Sequence, residues 1–329
     1  MTKKLWTLFL SSFLWCCFAF GGSDSISGQT LSEQYNAMQD LENQGNYKEA
    51  VAKGEKILQN KECNGDMICN TLTRLQWNLQ KINEYSKIDS YEKSILKLHP
   101  GDWEVLWGLA RSYEGLQYYG FIIAGEFQRG PHRGNGGKYI NVQERDQRQR
   151  LNWLYQAWKI ANNKTFVTSS EKNNYASFFA YFAVTLFQQQ LWKMQRLTNL
   201  AVVPDLQSGE NESSFFQVGA PVDKDGKPIF FAIPKSFDAA KSDGERVRFL
   251  WAEAAKVNKN WAQSELSFRA RKSKEYYSVE TLRRTFFYQQ KQNSASLDYL
   301  KQLELLKDHE TIAHLANGIQ RFTLPDEFA

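Results

Sequence analysis

The residues best suited to chemistry are concentrated in one short stretch, FQRGPHRGNGGKYINVQERDQRQR, at positions 127–150. Arginine, lysine and glycine in close succession are typical of loops that hold phosphate groups, and the same residue types also occur in protein-docking loops. The candidate interaction residues of this stretch are Arg129, His132, Arg133, Lys138 and Tyr139.

A nucleotide-binding loop is not supported by the residues around Lys138. The P-loop motif needs Ser or Thr directly after its lysine and a strand before the loop. Tyr139 follows Lys138, and we predict no strand before the loop. We therefore predict a glycine-permitted loop between two helices, in which the arginines pair with carboxylates such as Glu126, Glu144 and Asp146. A protein-docking surface is the alternative.

The spacing of the reactive residues supports neither a metal site nor a catalytic nucleophile. His309 and His314 are five positions apart, which does not place two ligands on one face of a helix, and His132 is isolated. The sequence has no Gly-x-Ser-x-Gly motif, and neither Cys63 nor Cys69 has a recognisable histidine partner. We predict no catalytic residue, no bound metal and no cofactor.

The N-terminus has the pattern of a secretory signal peptide. Two lysines precede an uncharged run of 16 residues from Leu5 to Phe20, which is short for a membrane span. Small residues then give an Ala-x-Gly cleavage pattern at Ala19 and Gly21. We predict that residues 1–21 are removed and that the chain is exported, to the periplasm, the cell envelope or the medium. An uncleaved anchor and lipid attachment at Cys16 or Cys17 are the alternatives.

The predicted export affects the expected oxidation state of the two cysteines that remain after cleavage. Cys63 and Cys69 lie in the short stretch KECNGDMICN, and an oxidising compartment favours a disulfide between them. The spacing is not Cys-x-x-Cys, so thioredoxin-type redox chemistry is not supported. We predict a local disulfide that closes this loop.

Composition limits the classes of partner. Removing residues 1–21 takes away two lysines and no acidic residue, so the formal charge falls from +5 to +3. A charge this small on a chain this long, with basic and acidic residues mixed, argues against a nucleic-acid partner. A mean hydropathy of -0.56 argues against several membrane spans, so we predict no span after signal cleavage.

The apolar residues predict an all-α fold. A flexible linker at 22–30 precedes a helical domain at 31–200, whose first helix has its apolar residues at Leu31, Tyr35, Met38 and Leu41. A Gly-Asn turn and the stretch YKEA follow, and paired helices of this kind are typical of tetratricopeptide repeats. We predict a tetratricopeptide-like helical-hairpin solenoid in which Gly108 lets a neighbouring helix approach closely. Its last helix is predicted to run from about 170 to 198.

The rest of the chain divides into two predicted segments. Residues 201–237 contain four of the seven prolines and a Lys-Asp-Gly turn, which predict an irregular segment with a possible hairpin around Gly226. Residues 238–329 return to helical patterns, with a tight connection near Ser242 between two helices and an extended end at QRFTLPDEFA.

Three stretches, at 124–157, 219–254 and 318–328, resemble the N-terminal helical region of bacterial, planctomycete-type alpha-2-macroglobulin-like proteins. The resemblance implies an exported protein in which macroglobulin β-domains follow the helical part and entrap proteases, often through a Cys-x-x-Gln thioester. No cysteine of this chain is followed by Gln at the third position, so no thioester is possible here. The end of the sequence looks like a point at which a larger protein would continue.

Together these features predict a non-catalytic exported scaffold, or protein-interaction module, like the helical front part of a macroglobulin-type protease trap. Its expected partners are proteins, either downstream macroglobulin-type domains or envelope proteins. A free-standing periplasmic tetratricopeptide adaptor that binds peptides or proteins is the first alternative. An enzyme with a site in the loop at 120–145 is the second.

Overall fold

The structure of the chain is a computed structural model that describes residues 29–134, 136–187, 191–206, 220, 222–277, 279, 294–307, 310–315 and 317–322. The predicted signal peptide and most of the predicted linker lie outside these residues. The described residues are mostly helical, and the helices are α1 Leu31–Asn43, α2 Tyr47–Leu58, α3 Gly65–Lys81, α4 Tyr91–Leu98, α5 Trp103–Ser112, α6 Gln143–Ala161, α7 Ser169–Leu186, α8 Asp243–Ala255, α9 Lys259–Tyr276 and α10 Ser294–Glu304. The strands are β1 Tyr119–Ile123, β2 Glu126–Arg129, β3 Lys138–Asn141, β4 Thr311–Leu315 and β5 Gly318–Phe322.

The first helices form where the apolar periodicity predicts them. α1 begins with a capping box, in which the Thr30 hydroxyl accepts from the Glu33 amide and the Glu33 carboxylate accepts from the Thr30 amide. Gly45 adopts a φ of +80° after α1, which ends the helix and starts the turn to α2. α1 packs on α2, α2 on α3, and α3 on α5. The prediction of helical neighbours is confirmed, while a regular tetratricopeptide-like solenoid stays a proposal.

Two glycines set the distance between α3 and α5. A Cβ atom at Gly108 would overlap the carbonyl oxygen of Gly65, and a Cβ atom at Gly65 would overlap the carbonyl oxygen of Glu104. The two backbones therefore lie in direct contact at this crossing. The prediction that Gly108 lets a neighbouring helix approach is confirmed.

Two small antiparallel sheets accompany the helices, which still make up most of the described residues, as the all-α prediction expects. Residues 119–141, predicted as a loop between helices, form a three-stranded sheet in the order β2-β1-β3. Residues 311–322, of which all but the last few were predicted as helix, form the hairpin of β4 and β5, with Thr311 opposite Phe322 and Leu315 opposite Gly318. The helix predicted at these positions is absent. The apolar residues 312, 313 and 315 are instead buried along strand β4.

The helix predicted to reach 198 is shorter. α7 ends at Leu186, where Phe187 leaves the helical region with a ψ of 110°, and a 3-10 turn follows at Leu191–Gln195. The turn places the Thr198 amide against the carboxylate of Asp243, at 3.2 Å from Oδ1. The chain therefore bends back toward α8 where the sequence pattern predicts a continuous helix.

The turn predicted around Gly226 is present. The Asp223 amide donates to the Lys227 carbonyl, and Val222 forms an antiparallel bridge with Pro228. The remainder of the predicted irregular segment, at 207–219, lies outside the described residues. Ser242 caps α8, but residues 236–241 form turns and bends, so the first of the two helices predicted here is absent.

Most of the buried apolar side chains form one continuous cluster. It extends from Met38 in α1, through α5, α6, α7 and α8, to Leu315 in β4. α7 packs along α8, and α5 packs along both α3 and α6. None of the helices in the described part of the chain is long and apolar enough to cross a membrane.

Candidate functional site

The candidate interaction residues lie on the three-stranded sheet between α5 and α6, or in the segment that joins β2 to β3. β1 pairs with β2 from Gly120 opposite Arg129 to Ile123 opposite Glu126. Only Ala124 and Gly125 connect these strands, with φ values of +51° and +87°. Two central residues with positive φ are the geometry of a type I′ turn, for which Asn-Gly is the usual sequence.

The glycine-rich residues carry the chain across this sheet. β2 and β3 both run antiparallel to β1 and lie on its opposite edges, so residues 130–137 must cross from one edge to the other. The His132 ring lies 5.7 Å from the Phe121 ring, and a Cβ atom at Gly137 would lie 3.5 Å from the Phe121 Cβ. The crossover therefore passes over the face of the sheet that carries Phe121. Gly137 has a φ of +101°, a conformation that glycine adopts readily and other residues rarely adopt.

Arg129 lies on the opposite, inner face of the sheet and is fully buried, with a side-chain exposure of 0%. Its Nη1 and Nη2 donate to the two carboxylate oxygens of Asp146, at 2.6 and 3.0 Å. Its Nε donates to Asp89 at 2.9 Å, and Nη1 also donates to the Gln117 carbonyl at 2.7 Å. All three guanidinium nitrogens are therefore bonded, and the prediction that an arginine of this stretch pairs with Asp146 is confirmed.

Arg129 is a single cation bonded to two carboxylates, Asp89 and Asp146. Burial disfavours the charged form of Arg129, but the hydrogen bonds that it donates to Asp146 and the negative charge of Asp89 outweigh burial and raise the pKa of the guanidinium. Burial raises the pKa of Asp89, and the positive charge of Arg129 only partly offsets this. The Tyr113 ring lies 6.0 Å from the Arg129 guanidinium, and the Tyr113 hydroxyl donates to Glu92 at 3.1 Å. This network fixes the sheet on the 3-10 turn at 85–90 and on α6.

Tyrosines occupy the outer side of the sheet. The rings of Tyr119 and Tyr139 are 6.1 Å apart and nearly parallel, at 19°. Tyr118 stands at 73° to Tyr119 and is 54% exposed, and Tyr139 is 55% exposed. We call Tyr118, Tyr119 and Tyr139 the tyrosine cluster. Phe121 borders it, with its ring 5.8 Å from Tyr139 at 80°.

The structure thus separates the five predicted interaction residues. Arg129 is buried in the inner network, whereas Arg133 and Lys138 are exposed to solvent. His132 and Tyr139 are brought together, since both rings contact Phe121. The set predicted from the sequence is therefore one structural arginine, two surface cations and two members of an aromatic surface.

Sequence reasoning missed three members of that surface, Tyr118, Tyr119 and Phe121. The alternation in YYGFII, with Tyr119, Phe121 and Ile123 on one face, is the strand signal that precedes the loop. The prediction that no strand precedes Lys138 was wrong for this reason. The absence of Ser or Thr after Lys138 still argues against a P-loop.

The predicted disulfide is not present in the structure, in which Cys63 and Cys69 are both free. Cys63 is 1% exposed within the core, and burial raises its pKa to about 12. Cys69 lies on α3, where burial also raises its pKa, partly offset by the charge of Arg111. Within the described residues, no three His, Cys, Asp or Glu side chains are grouped so that they could hold a metal ion.

Comparison of this chain with models of protein families, with characterised proteins and with solved structures finds no match. The fold and the site define a mostly helical protein that carries a small sheet with an exposed tyrosine cluster. The resemblance to macroglobulin-like proteins remains an expectation from the sequence.

Proposed function

We propose that this chain is a non-catalytic exported scaffold that binds a protein partner through the tyrosine cluster. The proposal includes the relation to the helical front part of macroglobulin-like protease traps. The observation that carries it is the exposure of Tyr118 and Tyr139 side by side with Tyr119 on a sheet whose other face is anchored in the core. Adjacent exposed aromatic rings of this kind are typical of protein interfaces.

The anchoring of the sheet supports a docking role. Arg129 is bonded on every nitrogen, and its partners Asp89 and Asp146 belong to different elements. The tyrosine cluster is therefore held in place before any partner arrives, which lowers the entropy lost on binding. The charged side chains of Arg129, Asp89 and Asp146 bond to one another, which supports a scaffold rather than an enzyme.

The macroglobulin relation gives the scaffold its expected context. The stretch at 124–157 that carries the resemblance comprises β2, the glycine crossover, β3 and most of α6. Sequencing the gene beyond the codon for Ala329 tests the relation. Macroglobulin-type domains encoded downstream or in a neighbouring gene support it, and their absence contradicts it.

Capture of a partner tests the docking role. A tagged chain is crosslinked in the native cell envelope, and captured proteins are compared for the wild type, Tyr139→Ala and Trp77→Ala. Trp77 is the matched control, because it is a 49% exposed aromatic residue that belongs to α3 and not to the sheet. We expect a partner that the wild type and Trp77→Ala capture and Tyr139→Ala loses. Equal capture by all three variants contradicts the proposal.

A groove favours the periplasmic adaptor as a second candidate. It has a volume of about 630 Å³ and is lined by Val184 of α7 and by polar residues of α9 that include Asn260, Ser264 and Arg271. A peptide could lie along such a surface. Partner capture that Arg271→Glu abolishes and Tyr139→Ala leaves intact would favour the adaptor over docking through the tyrosine cluster.

A further inference from the structure

The groove of about 630 Å³ between α9, Val184 of α7 and Trp251 of α8 is called the α9 groove below. We propose that it binds an extended, acidic peptide segment. This inference rests on the adaptor candidate described above and names the chemistry of its peptide. Three observations support this class of ligand, namely the charge of α9, the line of polar side chains along the groove and the packing of its apolar lining.

The first observation is the unpaired positive charge of α9. The helix carries five basic and two acidic residues, and Arg271 is the charged residue that lines the groove. Every carboxylate of α8 and α9 is bonded to a cation or to a backbone amide, namely Asp243, Glu245, Glu253, Glu265 and Glu275. Lys259, Arg271 and Lys274 are exposed, and no side chain of the described residues pairs with them. The groove is therefore complementary to an acidic ligand.

The second observation is a line of polar side chains along one face of α9. Asn260, Gln263, Ser267 and Arg271 line the groove at intervals of three or four residues, which places neighbours about 5–6 Å apart. The line is about 16 Å long, a length that about five residues of an extended peptide cover. A side-chain amide can donate to a peptide carbonyl and accept from a peptide N–H, so a peptide backbone matches this line. Arg271, at one end of the line, can then bond an acidic side chain.

The third observation separates a peptide from an acidic polysaccharide. Trp251 and Phe268 line the groove but are only 6% and 7% exposed, and their rings pack on each other with centroids 4.9 Å apart. These rings therefore leave little flat surface on which a sugar ring could stack. Val184, in contrast, is 52% exposed and offers a contact for an aliphatic side chain. A peptide that combines acidic and aliphatic residues fits both Arg271 and Val184.

Fluorescence anisotropy of a labelled peptide, titrated with the full chain, tests the inference. The probe alternates valine and glutamate over about eight residues, which is longer than the line of polar side chains. Its matched control has glutamine in place of each glutamate. We expect saturable binding of the acidic peptide, at least about tenfold tighter than that of the control, which corresponds to about 1.4 kcal/mol. Equal binding of the two peptides overturns the inference.

A first pair of variants tests the role of Arg271. Arg271→Gln removes the cation that lines the groove, so we expect the acidic peptide to bind at least about tenfold more weakly. Arg133→Gln is the control, because Arg133 is an exposed arginine between β2 and β3, outside the groove. If Arg271→Gln lowers the thermal midpoint, Gln263→Ala repeats the test at a second residue of the groove. Equal weakening by Arg133→Gln overturns the inference.

A second pair of variants tests the groove without changing any charge. Ser267→Trp places a large side chain in the groove, so we expect it to abolish binding of the acidic peptide. Ala270→Trp is the control, because Ala270 is exposed on the same helix and does not line the groove. Wild-type binding by Ser267→Trp would show that the peptide is attracted to the helix in general, and this result also overturns the inference.

The remaining outcomes separate this inference from the proposed function. A polygalacturonate oligomer and phosphatidylglycerol vesicles are tested as other acidic ligands, and binding of either of them without the peptide overturns the inference. Binding of none of the probes overturns it as well. If envelope capture is then still abolished by Arg271→Glu, the adaptor candidate stands with a different ligand, and if it is not, the adaptor fails too. Docking through the tyrosine cluster is judged separately, by capture that depends on Tyr139.

Discussion

Two arginines four positions apart have opposite environments. Arg129 is buried with its guanidinium bonded to two carboxylates, and Arg133 is exposed on the glycine crossover. The sequence presents them as equivalent cations of one loop. Strand pairing distinguishes them, because Arg129 lies opposite Gly120 on the inner face of the sheet, where α6 brings Asp146 within reach.

Replacing Arg129 with Ala should destabilise the fold by about 3–5 kcal/mol, because Asp146 would remain buried without its partner. Arg129→Lys should recover only part of this loss, since one ammonium group cannot make the two parallel bonds to Asp146. Urea unfolding gives the free energies. Arg133→Ala is the control, and we expect a change within about 0.5 kcal/mol. Similar losses for Arg129→Ala and Arg133→Ala would contradict the assigned network.

The two cysteines should differ in reactivity. Cys63 is buried and its pKa is raised to about 12, so its reactive thiolate is scarce at mildly alkaline pH. Cys69 is half-buried, so we expect iodoacetamide to label it first in the folded, unreduced chain, with Cys63 labelled only on unfolding. Mass spectrometry of tryptic peptides reads both sites. Labelling of neither cysteine until reductant is added would instead demonstrate the disulfide predicted from the sequence.

At the scale of elements, the sequence predicts α1, α2, α3 and α5 because each has an apolar face with a helical period. It does not predict the three-stranded sheet, because the turn between β1 and β2 is Ala124-Gly125 and lacks the usual Asn-Gly signal. Of the inner network, the sequence predicts the pairing with Asp146 but not the one with Asp89, which is 40 positions from Arg129. Such contacts depend on how distant elements pack.

Ala124 should limit the stability of the β1–β2 hairpin. Its φ of +51° is unfavourable for alanine and better tolerated by asparagine. Ala124→Asn should therefore stabilise the chain by about 0.5–1 kcal/mol, measured as a rise in the urea midpoint. Gly125→Ala at the next position should have the opposite sign, because it places a side chain at a φ of +87°. A loss of stability in Ala124→Asn would contradict this turn geometry.

A substitution at Gly108 tests the contact between α3 and α5. Glycine-to-alanine changes inside exposed helices usually stabilise a protein by up to about 1 kcal/mol. Here the added Cβ would overlap the Gly65 carbonyl, so Gly108→Ala should destabilise the chain by about 1–3 kcal/mol. Thermal unfolding followed by circular dichroism gives the sign. Stabilisation by Gly108→Ala would show that the two helices are further apart.

At the scale of the whole molecule, the core does not stop at the predicted boundary near 201–237. Phe237, in the last position of that segment, is fully buried between Trp158 of α6 and Phe182 of α7, with ring centroids 4.6 and 5.5 Å away. Asn258, just before α9, donates to the Asn173 side chain of α7 at 2.8 Å. The helices before and after the irregular segment therefore share one apolar interior.

A shared interior predicts a single cooperative unfolding transition, in which Phe237 stabilises both parts of the chain. Phe237→Ala should cost about 3–5 kcal/mol, because it leaves a cavity among aromatic rings. Far-UV circular dichroism and tryptophan fluorescence should shift together in this variant, since both parts lose the same contact. Phe230→Ala is the control, because Phe230 is 37% exposed and its removal leaves no enclosed cavity. Two separate transitions, with only one displaced by Phe237→Ala, would instead show that the helical parts at 31–200 and 238–329 fold as independent domains.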